Sequence, residues 1–219
     1  MGIEQFFSSI EENSITNLLT SFTQKLEKRI HANYLYVDFN SIVYVTSSTV
    51  LSELNYLLYH IIIGEITPKF KKLAQQYAIK DIDKLDAETF SSMFTPDKTN
   101  KILLDKIAEY IIGMVTNYIE PTMLKLLYIA VDGVPSKSKI IEQKDRRYMG
   151  AIINEIKKKI FKKHESALKL QKDRYRYETL KISWARNLIT PGTSFKDDID
   201  SLLKSSALVD KIKSVCPNL

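Results

Sequence analysis

Two apolar runs along the chain each end in an acidic residue and predict two strands of one parallel β-sheet. The first covers residues 34–38 and ends at Asp38, and the second covers residues 126–131 and is followed by Asp132. Short runs rich in Leu, Ile, Val and Ala and bounded by turn residues are typical of buried parallel strands. Because ligands bind beyond the carboxyl ends of such strands, we expect Asp38 and Asp132 to lie at one sheet edge.

A basic helix is predicted directly after the second strand. Lys139, Gln143, Arg146 and Arg147 are spaced i, i+4, i+7 and i+8, which puts them on one helical face. A helix N-terminus attracts anions, and the Arg fork fits phosphate oxygens. An acid that can bind a metal beside bases that can bind phosphate suits phosphodiester hydrolysis, with Mg²⁺ as the natural ion. The alternative is an ordinary solvated charged face.

The rest of the chain is predicted to be mainly helical. Periodic apolar positions predict helices over residues 50–66 and 99–118, whereas the Asp, Ser, Thr and Pro residues of 81–98 favour a loop or short helices. We interpret most of the 12 tyrosines as core residues, because they lie in apolar segments.

Residues 151–184 contain no Pro or Gly and predict one long helix, or two. Lys and Arg crowd one side of this region, and an apolar stripe recurs at helical spacing. The stripe consists of Ile152, Ile153, Ile156, Ile160 and Phe161. Two interpretations stay open: a solvated surface helix, and a wall of an RNA channel that contacts phosphates irrespective of sequence.

Composition limits the class of protein. The chain has 219 residues, 44% of them hydrophobic, which is enough for one domain with a real core. A single cysteine, Cys216, excludes an internal disulfide and suits a reducing compartment. We expect an intracellular location, cytoplasmic rather than nuclear. No apolar run reaches membrane-spanning length, so we expect no membrane association. The net charge of +6 and the pI of about 9.1 are compatible with nucleic-acid binding.

Four short motifs in one order carry a resemblance to a known family. They are MGIEQFF at residues 1–7, LYVDFN at 35–40, AVDGVP at 130–135 with the basic helix behind it, and ITPGTSF at 189–195. This order resembles the amino-terminal part of the 5′→3′ exoribonucleases, which degrade RNA that carries a 5′-monophosphate. The resemblance spans most of the chain, to about residue 195.

The resemblance implies a role for each matching residue. Asp38 and Asp132 correspond to two acids that bind the catalytic Mg²⁺ (or Mn²⁺) ions. The basic helix corresponds to the pocket for the 5′-phosphate, formed by Lys139, Gln143, Arg146 and Arg147. Tyr44 stands where the family has a histidine that stacks on the terminal base. Tyrosine can also stack, because stacking requires only a π-face.

The resemblance also implies an incomplete site. The remaining metal-binding acids of the family lie beyond the ITPGTSF motif, in a Glu-Gly-Glu element and a later pair of aspartates, and neither occurs before Leu219. We therefore expect the isolated chain to be inactive. A second polypeptide, a longer chain, and a protein that has lost catalysis but kept binding all remain open.

These observations predict an α/β fold: a central parallel sheet flanked by helices, resembling the PIN and flap nucleases and truncated before its last strands. Residues 1–219 would form the amino-terminal portion of the catalytic domain, with an insertion at about 50–98 and a basic helical region at about 138–184. The predicted function is two-metal-ion hydrolysis of single-stranded RNA from a 5′-monophosphate end. A non-catalytic RNA-binding or structural protein is the alternative.

Overall fold

The structure is a computed structural model that describes residues 29–133, 136–169 and 171–219. Some side chains inside these ranges lie outside the description: Asp83, Gln143, Arg146, Arg147, Ala151, Asn154, Leu168 and Arg186. The motif at residues 1–7 and the Val134–Pro135 part of the AVDGVP motif also lie outside the described residues.

Two strands form where the apolar runs predict them. Strand β1 (Tyr34–Asp38) pairs in parallel with β2 (Leu126–Ala130), with Tyr36 opposite Tyr128 and Asp38 opposite Ala130. The parallel pairing and both strand positions confirm the sequence prediction. An isolated parallel bridge between Ile30 and Ile119 also pairs the two segments that precede β1 and β2 along the chain.

The sheet is smaller than expected, and the described helices pack on one of its faces. In the described part of the chain it has only these two strands. Val37, Leu127 and Ile129 pack against the helical core, whereas Tyr36 and Tyr128 on the other face are 68% and 55% exposed. The fold is therefore a mainly helical α/β fold, and a central sheet covered on both faces is not confirmed by the described residues.

Helices make up most of the described residues. They are α1 (Phe39–Ile63), α2 (Pro68–Gln76), α3 (Ala87–Ser92), α4 (Pro96–Asn117), α5 (Lys137–Lys163), α6 (Glu165–Lys169), α7 (Lys172–Leu180), α8 (Ser194–Lys204) and α9 (Ser206–Val215), with short 3-10 helices at Ile82–Lys84 and Arg186–Ile189. None of the described helices is long and apolar enough to span a membrane.

The predicted helices over residues 50–66 and 99–118 correspond to α1 and α4, but both begin earlier than predicted. Asp38 caps α1, its carboxylate accepting from the backbone N–H of Asn40, and Thr95 caps α4 with Pro96 as the first helical residue. Asp and Thr are favoured N-caps and Pro is favoured at the first helical position, so these starts follow ordinary capping chemistry. The short helices between residues 81 and 98 agree with the prediction for that region.

The core lies between α1 and α4. Leu54 and Leu57 of α1 and Ile107 and Ile111 of α4 have no exposed surface. Helices α2, α3 and α7 pack on α1, and α8 and α9 pack on α4. A smaller cluster around Cys216 joins the end of α9 to the sheet, and burial raises the pKa of its thiol.

The long basic region contains more than one helix. Helix α5 begins at Lys137 and ends at Lys163, and the chain then folds back through α6 into α7. Ring stacking of Phe161 on Tyr175, with centroids 5.7 Å apart, holds the two arms together. The apolar stripe predicted for α5 is present, and three of its five members, Ile153, Ile156 and Ile160, are each about half exposed.

Candidate functional site

Asp38 and Asp132 lie at the same end of the two-stranded sheet. Asp38 is the last residue of β1, and its register partner is Ala130, the last residue of β2. Asp132 follows two residues later, in the turn that leads towards α5. Because the strands are parallel, both acids stand at the carboxyl edge, where sheets of this kind bind ligands. Both side chains are exposed.

Asn40 connects the two acids. Its backbone N–H donates to Asp38 Oδ1 at 3.1 Å, and its side-chain Nδ2 donates to Asp132 Oδ2 at 2.5 Å. Ser41 Oγ donates to Asp38 Oδ2 at 3.0 Å. The first turn of α1 therefore fixes the carboxylate that caps it and also the carboxylate delivered by the other strand. Asn40 was not among the predicted site residues, although its position two residues after a strand-end acid was a usable signal.

One polar atom at this edge has no hydrogen-bond partner. The side-chain oxygen of Asn40 is buried and accepts no bond from any described group. Its orientation is fixed chemically, because exchanging the amide atoms would put an oxygen against Asp132 Oδ2. A buried acceptor without a partner calls for a water or a cation. Two carboxylates and this amide oxygen form a donor set of the kind that Mg²⁺ binds.

This donor set is incomplete for a protein-bound metal centre. Residues 29–133, 136–169 and 171–219 contain no group of three or more His, Cys, Asp or Glu side chains placed to hold an ion. Mg²⁺ prefers six ligands and commonly keeps several waters. The described residues therefore fit one part of an ion's coordination shell, and further ligands would complete it.

The basic positions of the predicted phosphate pocket all belong to α5. Lys139 lies in its first turn, where its ammonium group forms an ion pair with Glu142 at 2.9 Å. The backbone of α5 includes positions 143, 146 and 147, but the side chains of Gln143, Arg146 and Arg147 lie outside the described residues. The pocket therefore stays a prediction from spacing and resemblance.

Tyr44 stands one helical turn after Asn40. Residues four apart share a face of an α-helix, so Tyr44 and the residue that links the two acids are neighbours along α1. Tyr44 is 45% exposed. Its position and its exposed surface suit an aromatic platform beside the acidic edge, the end of the sheet that carries Asp38 and Asp132.

Most of the chain matches a known protein family. The family described as "XRN 5'-3' exonuclease N-terminus" matches residues 76–214, which is more than half of the chain. The chain belongs to this family. The matched range includes Asp132, α5 and the ITPGTSF motif, whereas Asp38 and Tyr44 lie before it.

Individual relatives of this exonuclease-family chain are of two kinds. The "Uncharacterized protein R527" of Acanthamoeba polyphaga mimivirus is 28% identical over 161 residues, which cover 67% of this chain and 100% of that protein. The "5'-3' exoribonuclease 2" of Saccharomyces cerevisiae is 34% identical over 113 residues, covering 50% of this chain and 11% of that protein. The protein of the same name from Aspergillus fumigatus is 37% identical over 97 residues, covering 41% and 9%.

These two fungal relatives are much longer than this family member, since the chain spans only 11% and 9% of their length. No solved structure matches the chain significantly.

The ITPGTSF motif of this family member has a structural role. Gly192 adopts a φ of +88°, which favours glycine, and Thr193 caps α8 by accepting from the N–H of Lys196. Phe195 is fully buried, with its ring 5.2 Å from that of Trp184. The motif therefore turns the chain and anchors α8 in the core.

The interpretation of most tyrosines as core residues is wrong. Seven of the 12 are clearly exposed. They are Tyr34, Tyr36, Tyr44, Tyr59, Tyr110, Tyr128 and Tyr148. A tyrosine in an apolar segment can keep its ring at the rim of the packed side, because the phenol is amphipathic.

Proposed function

We propose that this protein acts in the degradation of RNA from a 5′-monophosphate end, and that it supplies the phosphate pocket and part of the metal site. The observation that carries the proposal is the Asn40 link between Asp38 and Asp132 at the carboxyl edge of the sheet, in a chain of the exonuclease family. Two exposed acids that are held at this edge by the same asparagine suit the metal-assisted hydrolysis of a phosphodiester.

In the proposed site, Asp38 and Asp132 would bind Mg²⁺ or Mn²⁺, with the unpartnered Asn40 oxygen facing the ion or one of its waters. Such ions activate water and stabilise the charge that develops on the phosphate in two-metal-ion hydrolysis. The chain's own part is to fix the two carboxylates: the backbone N–H of Asn40 and the hydroxyl of Ser41 hold Asp38, and the side-chain amide of Asn40 holds Asp132. The other ligands would come from a second polypeptide or from a longer chain.

The 5′-phosphate pocket would lie on α5. Lys139, Gln143, Arg146 and Arg147 would bind the terminal phosphate, and Glu142 would give up Lys139 to the phosphate oxygens. Charge-assisted contacts to a dianionic phosphate are stronger than those to a hydroxyl group, and a cap or a triphosphate would be too large for a pocket of this kind. Tyr44 would stack on the first base, one helical turn from Asn40.

The proposed whole domain extends beyond the described residues. We propose that β1 and β2 belong to a larger parallel sheet of the PIN or flap-nuclease type. The second polypeptide or longer chain that supplies the other metal ligands would also supply the remaining strands. In the part of the chain that the structure describes, the sheet face that carries Tyr36 and Tyr128 is largely exposed, which supports this proposal because parallel sheets are normally covered on both faces. We retain the insertion at about 50–98 and an intracellular, cytoplasmic location as parts of the proposal.

A binding titration tests the pocket. RNA with a 5′-monophosphate should bind the full 219-residue chain more tightly than the same RNA with a 5′-hydroxyl group. Arg146→Ala should remove the preference at a cost of about 1.5–3 kcal/mol, the range for hydrogen bonds to charged groups. Lys158→Ala, on the same helix, is the matched control and should weaken both RNAs equally. Equal affinities for both ends, unchanged by Arg146→Ala, would leave α5 as a solvated basic face.

The alternative function is that of a non-catalytic RNA-binding protein, and the incomplete donor set among the described residues favours it. A digestion assay distinguishes this alternative from the enzyme. The chain alone should not digest 5′-monophosphorylated RNA with Mg²⁺, and addition of the missing half of the domain should restore digestion. Asp132→Asn should abolish the restored digestion and leave the 5′-phosphate preference intact. Digestion by the chain alone would contradict the proposed division of ligands, and no digestion with the added half would favour the non-catalytic protein.

A further inference from the structure

A cleft between α1 and α7 lies far from the acidic edge. Its volume is about 940 Å³, and its walls include Tyr56 and Tyr59 from α1 and Lys172, Arg174 and Tyr177 from α7. Pockets that hold a nucleotide or a molecule of similar size have volumes of about 300–1,000 Å³. The cleft is therefore large enough for one nucleotide unit of a longer strand.

The aromatic wall of the cleft is held in place while one ring stays accessible. Tyr59 forms perpendicular ring contacts with His60, at 6.0 Å, and with Tyr177, at 5.9 Å. The hydroxyl of Tyr56 hydrogen-bonds with that of Thr67 at 3.0 Å. Tyr59 nevertheless remains 44% exposed. A fixed, partly open aromatic ring is the surface on which a nucleic-acid base stacks, whatever the sequence.

Polar contacts tie the segment that contains α7 to α1 and to α3. Asn55 of α1 donates to the carbonyl of Ile182 and accepts from its N–H, both at 2.8 Å, just beyond the end of α7. Arg176 of α7 forms a two-pronged ion pair with Glu88 of α3, with Nε 2.9 Å from Oε1. These contacts fix the position of α7 and with it one wall of the cleft.

The charges around the cleft favour an anion. Lys172 and Arg174 are exposed, and neither forms an ion pair with another described residue. Two acids also line the cleft, but Glu178 is engaged by Lys181 at 2.6 Å, so Asp173 is the remaining negative group. Lys69 adds a positive charge, with its ammonium group 4.6 Å from the centre of the Tyr56 ring.

We propose that this cleft binds a nucleotide of single-stranded RNA downstream of the 5′ end, with a base on Tyr59 and a backbone phosphate on Lys172 and Arg174. The inference rests on the proposed function for the choice of RNA as ligand. An acidic peptide would use the two cations but not the aromatic ring, which is why the combined site favours nucleic acid.

The cleft and the acidic edge are separated by most of α1. Asn40 and Tyr59 belong to the same helix, and its rise of 1.5 Å per residue puts them about 28 Å apart along the axis. A strand with its 5′ end at the acids could reach the cleft only several nucleotides later. The cleft would thus hold the strand while the terminal nucleotide lies at the acidic edge, and a trinucleotide would be too short to use both sites.

The test uses the full chain and oligouridine of about 12 nucleotides with a 5′-hydroxyl end, long enough to span the separation at about 3.4 Å per nucleotide. Tyr59→Ala should weaken binding by roughly 5- to 150-fold, the effect of losing one stacked base, whereas Tyr59→Trp should retain binding. Tyr110→Ala, at an exposed tyrosine of α4, is the matched control and should change little. Arg174→Ala should lower the dependence of affinity on salt by about one released counterion, whereas Lys101→Ala should not.

Cross-linking of 5-iodouridine RNA locates the contact independently of affinity. Cross-links should fall on peptides that contain Tyr59 or Tyr177. Unchanged affinity of the Tyr59→Ala variant, with cross-links elsewhere, would overturn the proposal. Displacement of the RNA by oligoglutamate that binds in the cleft would also overturn it, because the site would then belong to an acidic protein partner. Failure of the 5′-phosphate pocket would be seen separately, because Arg146→Ala changes only the difference between the two RNA ends and Tyr59→Ala leaves that difference intact.

Discussion

The helical core and the acidic edge differ in how completely their side chains are covered. Between α1 and α4, residues such as Leu57 and Ile107 have no exposed surface. On α5, none of the described side chains is buried, and Ile156 and Ile160 are about half exposed. Among the described residues the core is therefore closed, whereas Asp38 and Asp132 are exposed and α5, which follows Asp132 along the chain, has no buried side chain.

The buried residues of the core stabilise the fold, whereas the candidate site consists of exposed residues. Groups that bind substrates must be reachable, so their side chains stay exposed even where the helix that positions them is packed in the core. Helix α1 belongs to both regions: its first turn holds Asp38 and Asp132, and its middle forms the core. A rigid helix that is anchored at its centre can position two carboxylates that are themselves exposed.

The largest expected effect is the loss of stability when a buried residue of the core is truncated. Phe195→Ala should lower the free energy of unfolding by about 3–5 kcal/mol, because it removes a fully buried ring that packs on Trp184. Chemical denaturation measures the loss. Phe195→Leu should cost much less, since it retains most of the apolar volume. A small loss in the Ala variant would mean that α8 is not anchored by the ITPGTSF motif in solution.

A smaller effect concerns a polar contact at the rim of the core. Tyr77 donates to Glu53 Oε2 at 2.5 Å, and burial, followed by this bond to the carboxylate, raises the pKa of the phenol well above its usual 10.0. The unfolded chain releases this proton near pH 10 while the folded chain keeps it. The contribution to stability is therefore complete below pH 10 and is lost as the pH rises further.

Tyr77→Phe should cost about 1 kcal/mol at neutral pH, the usual worth of one hydrogen bond. The stability difference between the original chain and this variant should shrink above pH 10, which denaturant titrations at several pH values can measure. Glu53→Gln is the control, because it keeps an acceptor for the phenol but removes the charge. A difference that stays constant to high pH would show that the phenol is not protected by this contact.

The smallest effect is expected on the open side. Ile156→Ala in α5 should change the free energy of unfolding by less than about 0.5 kcal/mol, because the side chain is half exposed and loses little contact. Sedimentation at several concentrations should accompany the measurement. A loss above about 1 kcal/mol, especially one that depends on protein concentration, would mean that α5 is covered in solution and would remove the contrast with the core.

Local sequence determined the elements that depend on nearby residues. The strands at 34–38 and 126–130 follow from short apolar runs that end in Asp, and the starts of α1 and α4 follow from capping by Asp38 and Thr95. Family membership was also predictable, because the motifs stand in order along the chain. The phosphate pocket remains a prediction from the spacing on α5.

Only the tertiary structure decided which distant groups meet. The bond from Asn40 to Asp132 joins residues 92 positions apart and depends on the parallel pairing of two strands. The break between α5 and α7 has no Pro or Gly to announce it and is accompanied by the stacking of Phe161 on Tyr175. The exposure of Tyr59 likewise depends on how closely α7 approaches α1. Capping and periodicity act over a few residues, but burial and long-range hydrogen bonds depend on the packing of whole elements, which no single segment of the sequence specifies.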